Sequence, residues 1–148
     1  ILPRWHPVFL EMSTMHLLTP ADTYPDWISD LELQVFGISW GPLKDHEILL
    51  ADTPSAFARW SVAVAGKEAE LLRVVTHPTC LRTGKAMQLL IDSEYYLKEQ
   101  GVQHVFLEVR ESNTAALKLY QRLGWSFYRQ RISYYSDGEN AHLYEKRL

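Results

Sequence analysis

The strongest constraint on the fold is the passage of residues 71–86, LLRVVTHPTCLRTGKA, from an apolar strand through a turn into an amphipathic helix. Backbone N–H groups at a helix start lack intrahelical partners and lie at the positive end of the helix dipole, so they can bind phosphate. Gly84 allows close approach of the backbone, and Arg82 and Lys85 add positive charge. The passage predicts a phosphate cradle, although glycine at such a junction often serves only tight packing.

The strand that follows this helix determines the topology. An apolar stripe at helical spacing runs from residue 84 and stops at Gly101, after which residues 102–110 form a predicted strand. Because a helix separates this strand from the one before the cradle, the two must run parallel, as a βαβ crossover. The Gly66-Lys67 connection predicts an antiparallel hairpin. We therefore expect an α/β (α+β) fold with a mixed, mostly antiparallel sheet and helices on both faces.

The other elements follow from periodicity and turn residues. Strands are predicted at residues 15–18, 48–51, 56–66, 68–76, 127–135 and 142–148, and further helices at about residues 23–37, with Pro25 in the first turn, and 113–123. A length of 148 residues suits one domain, which we assign to residues 12–148. Since Ile1 is not a natural initiator and Met12 or Met15 is a plausible start, we interpret residues 1–11 as an extension or cloning remnant.

Composition excludes several classes of partner. A net charge of −3 and a pI near 6.1 argue against a general nucleic-acid binder. No apolar run approaches the roughly 20 residues of a membrane span. The single cysteine, Cys80, rules out an internal disulfide framework and favours a cytoplasmic location. His77 and His104 lack the spacing of metal ligands, so we expect no metal.

A second motif, after the phosphate cradle, is more specific than the cradle itself. Residues 105–113, VFLEVRESN, lead directly into residues 115–125, AALKLYQRLGW. This succession resembles the GNAT acetyltransferases, whose late strand, N-x-x-A-x-x-x-Y helix and G-[FYW] exit have the same order and spacing. Within that family it is similar to the RimI type, the ribosomal-protein alanine N-acetyltransferases, which carry LEVR-x-SN-x-x-A-x-x-LY-x-x-LGF.

Two further segments extend this resemblance. Residues 132–135, ISYY, followed by residues 137–141, DGENA, look like the N-Y-Y and G-E-D-A segment of the RimI type. Residues 36–40, FGISW, occupy the place of its F-P-W loop. The likeness is strong from about Glu70 to the C-terminus and only suggestive before it.

The resemblance implies the GNAT fold, acetyl-CoA as the cosubstrate, and direct acetyl transfer to an amine in a ternary complex. That amine would be the N-terminal α-amino group of a protein such as a ribosomal protein. We expect the enzyme to be a monomer or weak dimer. Two alternatives stay open: a GNAT enzyme that acetylates a small amine such as an amino acid or antibiotic, and a non-catalytic acyl-CoA-binding module.

The resemblance also implies a set of cofactor-binding residues. Backbone groups of a strand would bind the pantetheine arm, the loop and helix start would hold the pyrophosphate, and one side chain would bond the pantetheine. In that order these residues are Val74, Val75 and Thr76; Arg82, Thr83, Gly84, Lys85, Ala86 and Met87; and Asn113. The chain departs from the family pattern [QR]-x-x-G-x-[GA] at its first position, which is Leu81, with Arg82 one residue along.

Two residues are implied as catalytic. The resemblance makes Glu108 the general base, although strand alternation alone would make it an ordinary member of one strand face. Tyr120 would meet the departing thiolate, although its helical spacing alone indicates a core tyrosine. Trp40, Tyr134 and Tyr135 are candidate walls of a slot for a peptide end, with core packing as the alternative.

Overall fold

The computed structural model describes residues 15–148, and the predicted extension at residues 1–11 lies outside them. The strands are β1 (Met15–Leu18), β2 (Glu47–Asp52), β3 (Ala56–Ala63), β4 (Glu68–Thr76), β5 (His104–Arg110), β6 (Ser126–Arg131) and β7 (Ala141–Arg147). The helices are α1 (Asp26–Phe36), α2 (Lys85–Glu99) and α3 (Thr114–Arg122), with a short 3₁₀ turn at Pro78–Cys80.

The seven strands form one sheet in the order β1-β2-β3-β4-β5-β7-β6. Neighbouring strands are antiparallel except β4 and β5, which are parallel and are connected through α2. The expected mixed, mostly antiparallel sheet with one βαβ crossover is therefore confirmed.

Side-chain alternation along β3 divides the core between the two faces of the sheet. Phe57 packs with Ile28 and Leu31 of α1 on one face. Ala58 and Trp60 point to the other face, where they join a cluster with the buried leucines of α2 and with Tyr120 of α3. Helices thus cover both faces, as the sequence predicts.

The sheet opens between its two parallel strands. Their pairing ends at Leu71 and Leu107, yet β4 continues to Thr76 along β3, and β5 continues to Arg110 along β7. The β3–β4 register also shifts by one residue between Arg59 and Trp60, a bulge that bends β4 at this point. The last five residues of β4 therefore have no strand partner on the β5 side among the described residues.

Three predicted boundaries are wrong, and each has a local cause. α1 begins at Asp26 rather than near residue 23, because Pro25 has an extended backbone (ψ 138°) and is the N-cap rather than a residue of the first turn. β6 ends at Arg131 rather than residue 135, because Ser133 has a positive φ of 50° and the chain turns there. β3 ends at Ala63 rather than residue 66, because the amide of Gly66 donates to the carbonyl of Ala63 and starts the hairpin turn.

Candidate active site

The junction between β4 and α2 has the backbone shape that the sequence predicts. Gly84 is the N-cap of α2 with φ 82°, and Arg82 also has a left-handed backbone, with φ 64°. The first amide of this helix with an intrahelical acceptor is that of Gln88, which donates to Gly84. The amides of Lys85, Ala86 and Met87 therefore remain available to an anion at the helix start.

At this junction, side chains provide fewer groups for binding an anion than the backbone does. The Lys85 ammonium lies 2.9 Å from the Asp52 carboxylate, so it is bound to the end of β2. The Thr83 hydroxyl donates to the carbonyl of Cys80 and stabilises the turn. Arg82 and Leu81 are both exposed. The loop thus fits a pyrophosphate chiefly through its amides, with Arg82 as the exposed cation.

Val74, Val75 and Thr76 lie on the part of β4 beyond its pairing with β5. Their backbone groups on that side can pair with an extended ligand as a further strand would. Asn113 lies just past the end of β5, where its side-chain oxygen accepts from the amide of Ala116 and caps α3 at 3.2 Å. Its side-chain NH₂ group retains donor capacity for a ligand in the same opening.

Glu108 lies on the α1 side of β5, where two residues bind its carboxylate. The Tyr134 hydroxyl donates to Oε1 at 3.1 Å, and Nε of Arg131 lies 3.2 Å from Oε2. The charge of Glu108, and then this hydrogen bond, raise the pKa of Tyr134, which therefore stays protonated as a donor. No sequence pattern pointed to Arg131, which lies 23 residues from Glu108 along the chain. The two residues come together because β7 lies between β5 and β6 in the sheet.

Two adjoining cavities lie beside Glu108 on this face, and we refer to them together as the groove. One, of about 320 Å³, is lined by Glu108 and Arg131, and the other, of about 430 Å³, by Trp40 and Arg59. Ser61 and Glu70 line both. Partial burial, followed by repulsion from Glu108, raises the pKa of Glu70, another residue that sequence analysis missed.

The Trp40 end of the groove is anchored by two arginines of the sheet. Arg59 is buried, donates to the carbonyls of Gly41 and Pro42, and forms an ion pair with Glu47 at 2.6 Å. Arg73 lies 3.5 Å from the centre of the Trp40 ring. Trp40 itself is 44% exposed and lines one of the two cavities. The sequence signal that could have indicated Arg59 and Arg73 is the presence of a charged residue within an otherwise apolar stretch of strand.

Next to Glu108, outside the residues that line the two cavities, lie Tyr134 and Tyr135, whose rings meet edge to face at 5.2 Å. Their loop is bound to the end of β5, since Arg110 lies 2.8 Å from the Glu139 carboxylate and 4.1 Å from the Tyr135 ring centre. Glu139 also accepts from the amide of Ser112 at 2.8 Å. Hydrogen bonds from Ser112 and then Arg110 lower the pKa of Glu139 to about 2, so its carboxylate is ionised at neutral pH.

Tyr120 lies on the opposite side of the sheet from Glu108. It is buried among the β5 side chains that alternate with Glu108, and its ring lies 6.0 Å from that of Trp125. Burial raises the pKa of Tyr120 to about 12. The core position indicated by helical spacing is therefore correct, and the two predicted catalytic residues flank β5 from its two faces.

Two further features bear on partners. Among residues 15–148, no cluster of three or more histidine, cysteine or acidic side chains is arranged to hold a metal ion. Within the same residues, every helix is too short or too polar to cross a membrane.

Comparison with known proteins identifies the class. Residues 12–125 match the Acetyltransferase (GNAT) family. Because that match spans well over half of the chain, the protein belongs to the GNAT family.

Individual relatives narrow the comparison. The chain is 28% identical over 134 residues to the ribosomal protein bS18-alanine N-acetyltransferase of Salmonella typhimurium, covering 84% of this chain and 88% of that protein. The crystal structure of the Escherichia coli ribosomal-protein-S18-alanine N-acetyltransferase matches with a TM-score of 0.75 at 26% identity, covering 90% of this chain and 94% of that one. A Bacillus subtilis acetyltransferase in complex with CoA has a TM-score of 0.72 at 15% identity, over 90% and 97% of the two chains, and shows the shared fold alone.

The protein is thus a RimI-like, acetyl-CoA-dependent N-acetyltransferase.

Proposed function

We propose that this enzyme transfers acetyl from acetyl-CoA directly to the N-terminal α-amino group of a protein. The observation that carries the proposal is the position of Glu108, which lies in the groove next to the point where β4 and β5 part. A donor that enters between the strands and an acceptor that lies in the groove would meet beside this carboxylate.

The donor would be held mainly by main-chain groups. The β4 backbone at Val74, Val75 and Thr76 would bond the pantetheine arm, together with the Asn113 amide. The pyrophosphate would lie against the amides of residues 84–87, close to Arg82. Such binding depends on backbone shape, so Leu81 in place of a polar first residue would weaken one corner and leave the rest intact.

Glu108 would act as general base. A free α-amino group has a pKa of about 8 and is partly protonated at neutral pH, so it must lose a proton before or during attack. The carboxylate would accept that proton directly or through one water. Tyr134 and Arg131 bind its two oxygens and so hold it in a fixed orientation.

Tyr120 would stabilise the departing thiolate by a hydrogen bond. With a pKa of about 12, against about 8.5 for a thiol, complete proton transfer from the phenol would be uphill by roughly 5 kcal/mol. A hydrogen bond to the developing negative charge has no such cost. The protonation state of Tyr120 favours this role, because a phenol with a pKa of about 12 keeps its proton at neutral pH and can donate a hydrogen bond.

The shape of the groove favours the end of a peptide over a small amine. Trp40 lines one cavity of the groove and Tyr134 contacts Glu108, which lines the other; both rings are half-exposed and would suit a short extended chain. Two of the named relatives are ribosomal protein S18-alanine N-acetyltransferases, which supports a protein N-terminus as the acceptor and a cytoplasmic location here. Glu70 and Glu108 would favour a basic segment next to the N-terminus.

An acceptor series tests the proposal. Acetylation would be measured with a short peptide that begins with alanine, the same peptide with its N-terminus blocked, free amino acids and polyamines. We expect turnover of the free peptide alone. Activity only on the small amines would contradict the proposed acceptor, and acetyl-CoA binding without turnover of any amine would indicate a binding module instead.

A further inference from the structure

Arg73 occupies an unusual environment at the bend in β4. Its guanidinium carbon lies 3.5 Å from the ring centre of Trp40 and 3.9 Å from that of Phe36. A guanidinium carbon this close to a ring centre must lie over the face of that ring, because an approach in the ring plane would clash with the ring atoms. The guanidinium therefore packs on the faces of both Phe36, the last residue of α1, and Trp40 of the groove wall.

A buried carboxylate holds this stack in place. Nη1 of Arg73 donates to Glu32 at 2.8 Å, and Glu32 is fully buried under α1. The other oxygen of Glu32 accepts from the hydroxyl of Ser39, one residue before Trp40. A single carboxylate thus orients both the guanidinium and the loop that carries the indole.

The place of Arg73 in the chain links the two halves of the site. It directly precedes Val74, where the exposed edge of β4 begins to serve the donor, and its side chain extends towards the acceptor wall. An arginine suits this place better than a lysine, because a planar guanidinium can stack on both rings while it donates to a carboxylate.

We propose that Arg73 is a positioning residue that sets acceptor affinity through Trp40. The inference rests on the proposed function only in taking the groove as the acceptor site. Arg73 acts by fixing the plane of the indole, which forms one wall of the groove. It does not contact the reacting atoms, so its replacement changes acceptor KM and not kcat.

The test uses Arg73→Lys, Trp40→Ala and the double variant, with the acceptor that the wild-type enzyme acetylates fastest, whether peptide or small amine. Lysine keeps a cation for Glu32 but cannot stack as a plane, and Trp40 is half-exposed, so both variants should fold. We expect each single variant to raise acceptor KM about 3- to 30-fold, the range of one cation–π contact, with kcat within about twofold. The double variant should be no worse than the weaker-binding single variant.

A matched control and a second readout complete the design. Arg122→Lys, at the exposed end of α3, should leave all constants unchanged. In ¹⁵N-labelled protein, the indole signal that disappears in Trp40→Phe should shift and broaden in Arg73→Lys. Unchanged acceptor KM, an unmoved indole signal, or an equal loss of acetyl-CoA and acceptor affinity would overturn the inference. Since the acceptor is chosen by wild-type activity, failure of peptide acetylation contradicts the proposed function and leaves this test intact.

Discussion

The proposed donor side and the proposed acceptor side of this site are built from different kinds of group. The donor side consists mainly of backbone features within residues 71–87, namely a strand edge, two left-handed residues and a helix start, to which the side chains of Arg82 and Asn113 are added. The acceptor side would consist of side chains from the loop after α1, from β3, β4, β5 and β6, and from the loop after β6. A site made of backbone tolerates changes in side chains but not in conformation, and for a site made of side chains the reverse holds.

The largest effect should come from the acceptor side. Replacing Glu108 by Gln removes the base and keeps the size of the side chain, so kcat should fall by about 10²- to 10⁴-fold. Acetyl-CoA affinity, measured by calorimetry, should stay within about twofold, since the donor would be bound by backbone groups across β4.

The matched control is Glu99→Gln at the C-terminal end of α2, which should retain wild-type kcat. An unchanged kcat in Glu108→Gln would remove this carboxylate from the mechanism. A parallel loss of acetyl-CoA affinity would contradict the separation of the two sides.

On the donor side, conformation should matter more than charge. Ala at Gly84 would meet no atom within 4 Å, so its cost comes from φ 82°, a conformation that disfavours a side chain by about 1–2 kcal/mol. Relaxation of that strain would move the helix amides, and we expect acetyl-CoA KM to rise about tenfold with acceptor KM unchanged.

Gly101→Ala serves as the control for this variant. It has the same open surroundings and φ 95° but lies at the far end of α2. It should lower thermal stability by a similar amount and leave acetyl-CoA KM as in the wild type. Equal effects of the two variants on KM would show that the Gly84 effect is general destabilisation.

A smaller effect should follow from loosening the tyrosine loop. Glu139→Gln weakens charge-assisted bonds from Ser112 and Arg110, so Tyr134 and Tyr135 should be held less firmly, and acceptor KM should rise about three- to tenfold. The folded pKa of about 2 is depressed, so this clamp is fully formed above the unfolded pKa of about 4.3 and is lost as pH falls through 2.

Steady-state assays with Glu139→Gln and Asp137→Asn would check this order. Asp137 also binds Arg110, but its side chain is 60% exposed, so its replacement should have the lesser effect. If acceptor KM were unchanged in Glu139→Gln, the loop would not depend on this clamp.

The last change, replacement of Asp92 two turns into α2, should alter the stability of the fold but not the activity. Burial raises the pKa of Asp92 from 3.8 to about 6, and its Oδ2 has no hydrogen-bond partner within residues 15–148. Between these values the folded state binds more protons than the unfolded state, so stability falls as pH rises from about 4 to 6. Asp92→Asn should therefore raise the free energy of unfolding at pH 7 by about 1–3 kcal/mol.

Urea denaturation at pH 7 and pH 4 would check this prediction, with the gain absent at pH 4. Acetyl-CoA KM should not change, since the substitution leaves the helix start intact. Destabilisation at pH 7 would instead show that the ionised carboxylate contributes favourably to the fold.

The same contrast explains what the sequence could predict. The β4–turn–α2 junction was predictable because its determinants, such as Gly84 and the strand before it, are contiguous, and a crossover through a helix requires parallel strands. The end of β6 was not predictable. It is set by the positive φ of Ser133, in a loop that is held by contacts with Arg110 and Asn140.

Within the site, Glu108 and Tyr120 could be singled out only through resemblance to a family. Two contacts within the site could not be predicted from the sequence. Arg131 meets Glu108 across β7, and Arg73 meets Trp40 through the packing of α1 on β4. No periodic pattern in the sequence indicates either contact, because each joins segments that are brought together only in the folded sheet.

The measurement that bears most directly on this account is a crystal structure of the enzyme with CoA. We expect the pyrophosphate to lie on the amides of residues 84–87 and the pantetheine to run along Val74 to Thr76. The sulfur should emerge between β4 and β5, with Tyr120 on one side and Glu108 on the other. A sulfur that ends outside this opening, or a pantetheine arm bound in the groove beside Trp40, would contradict this account.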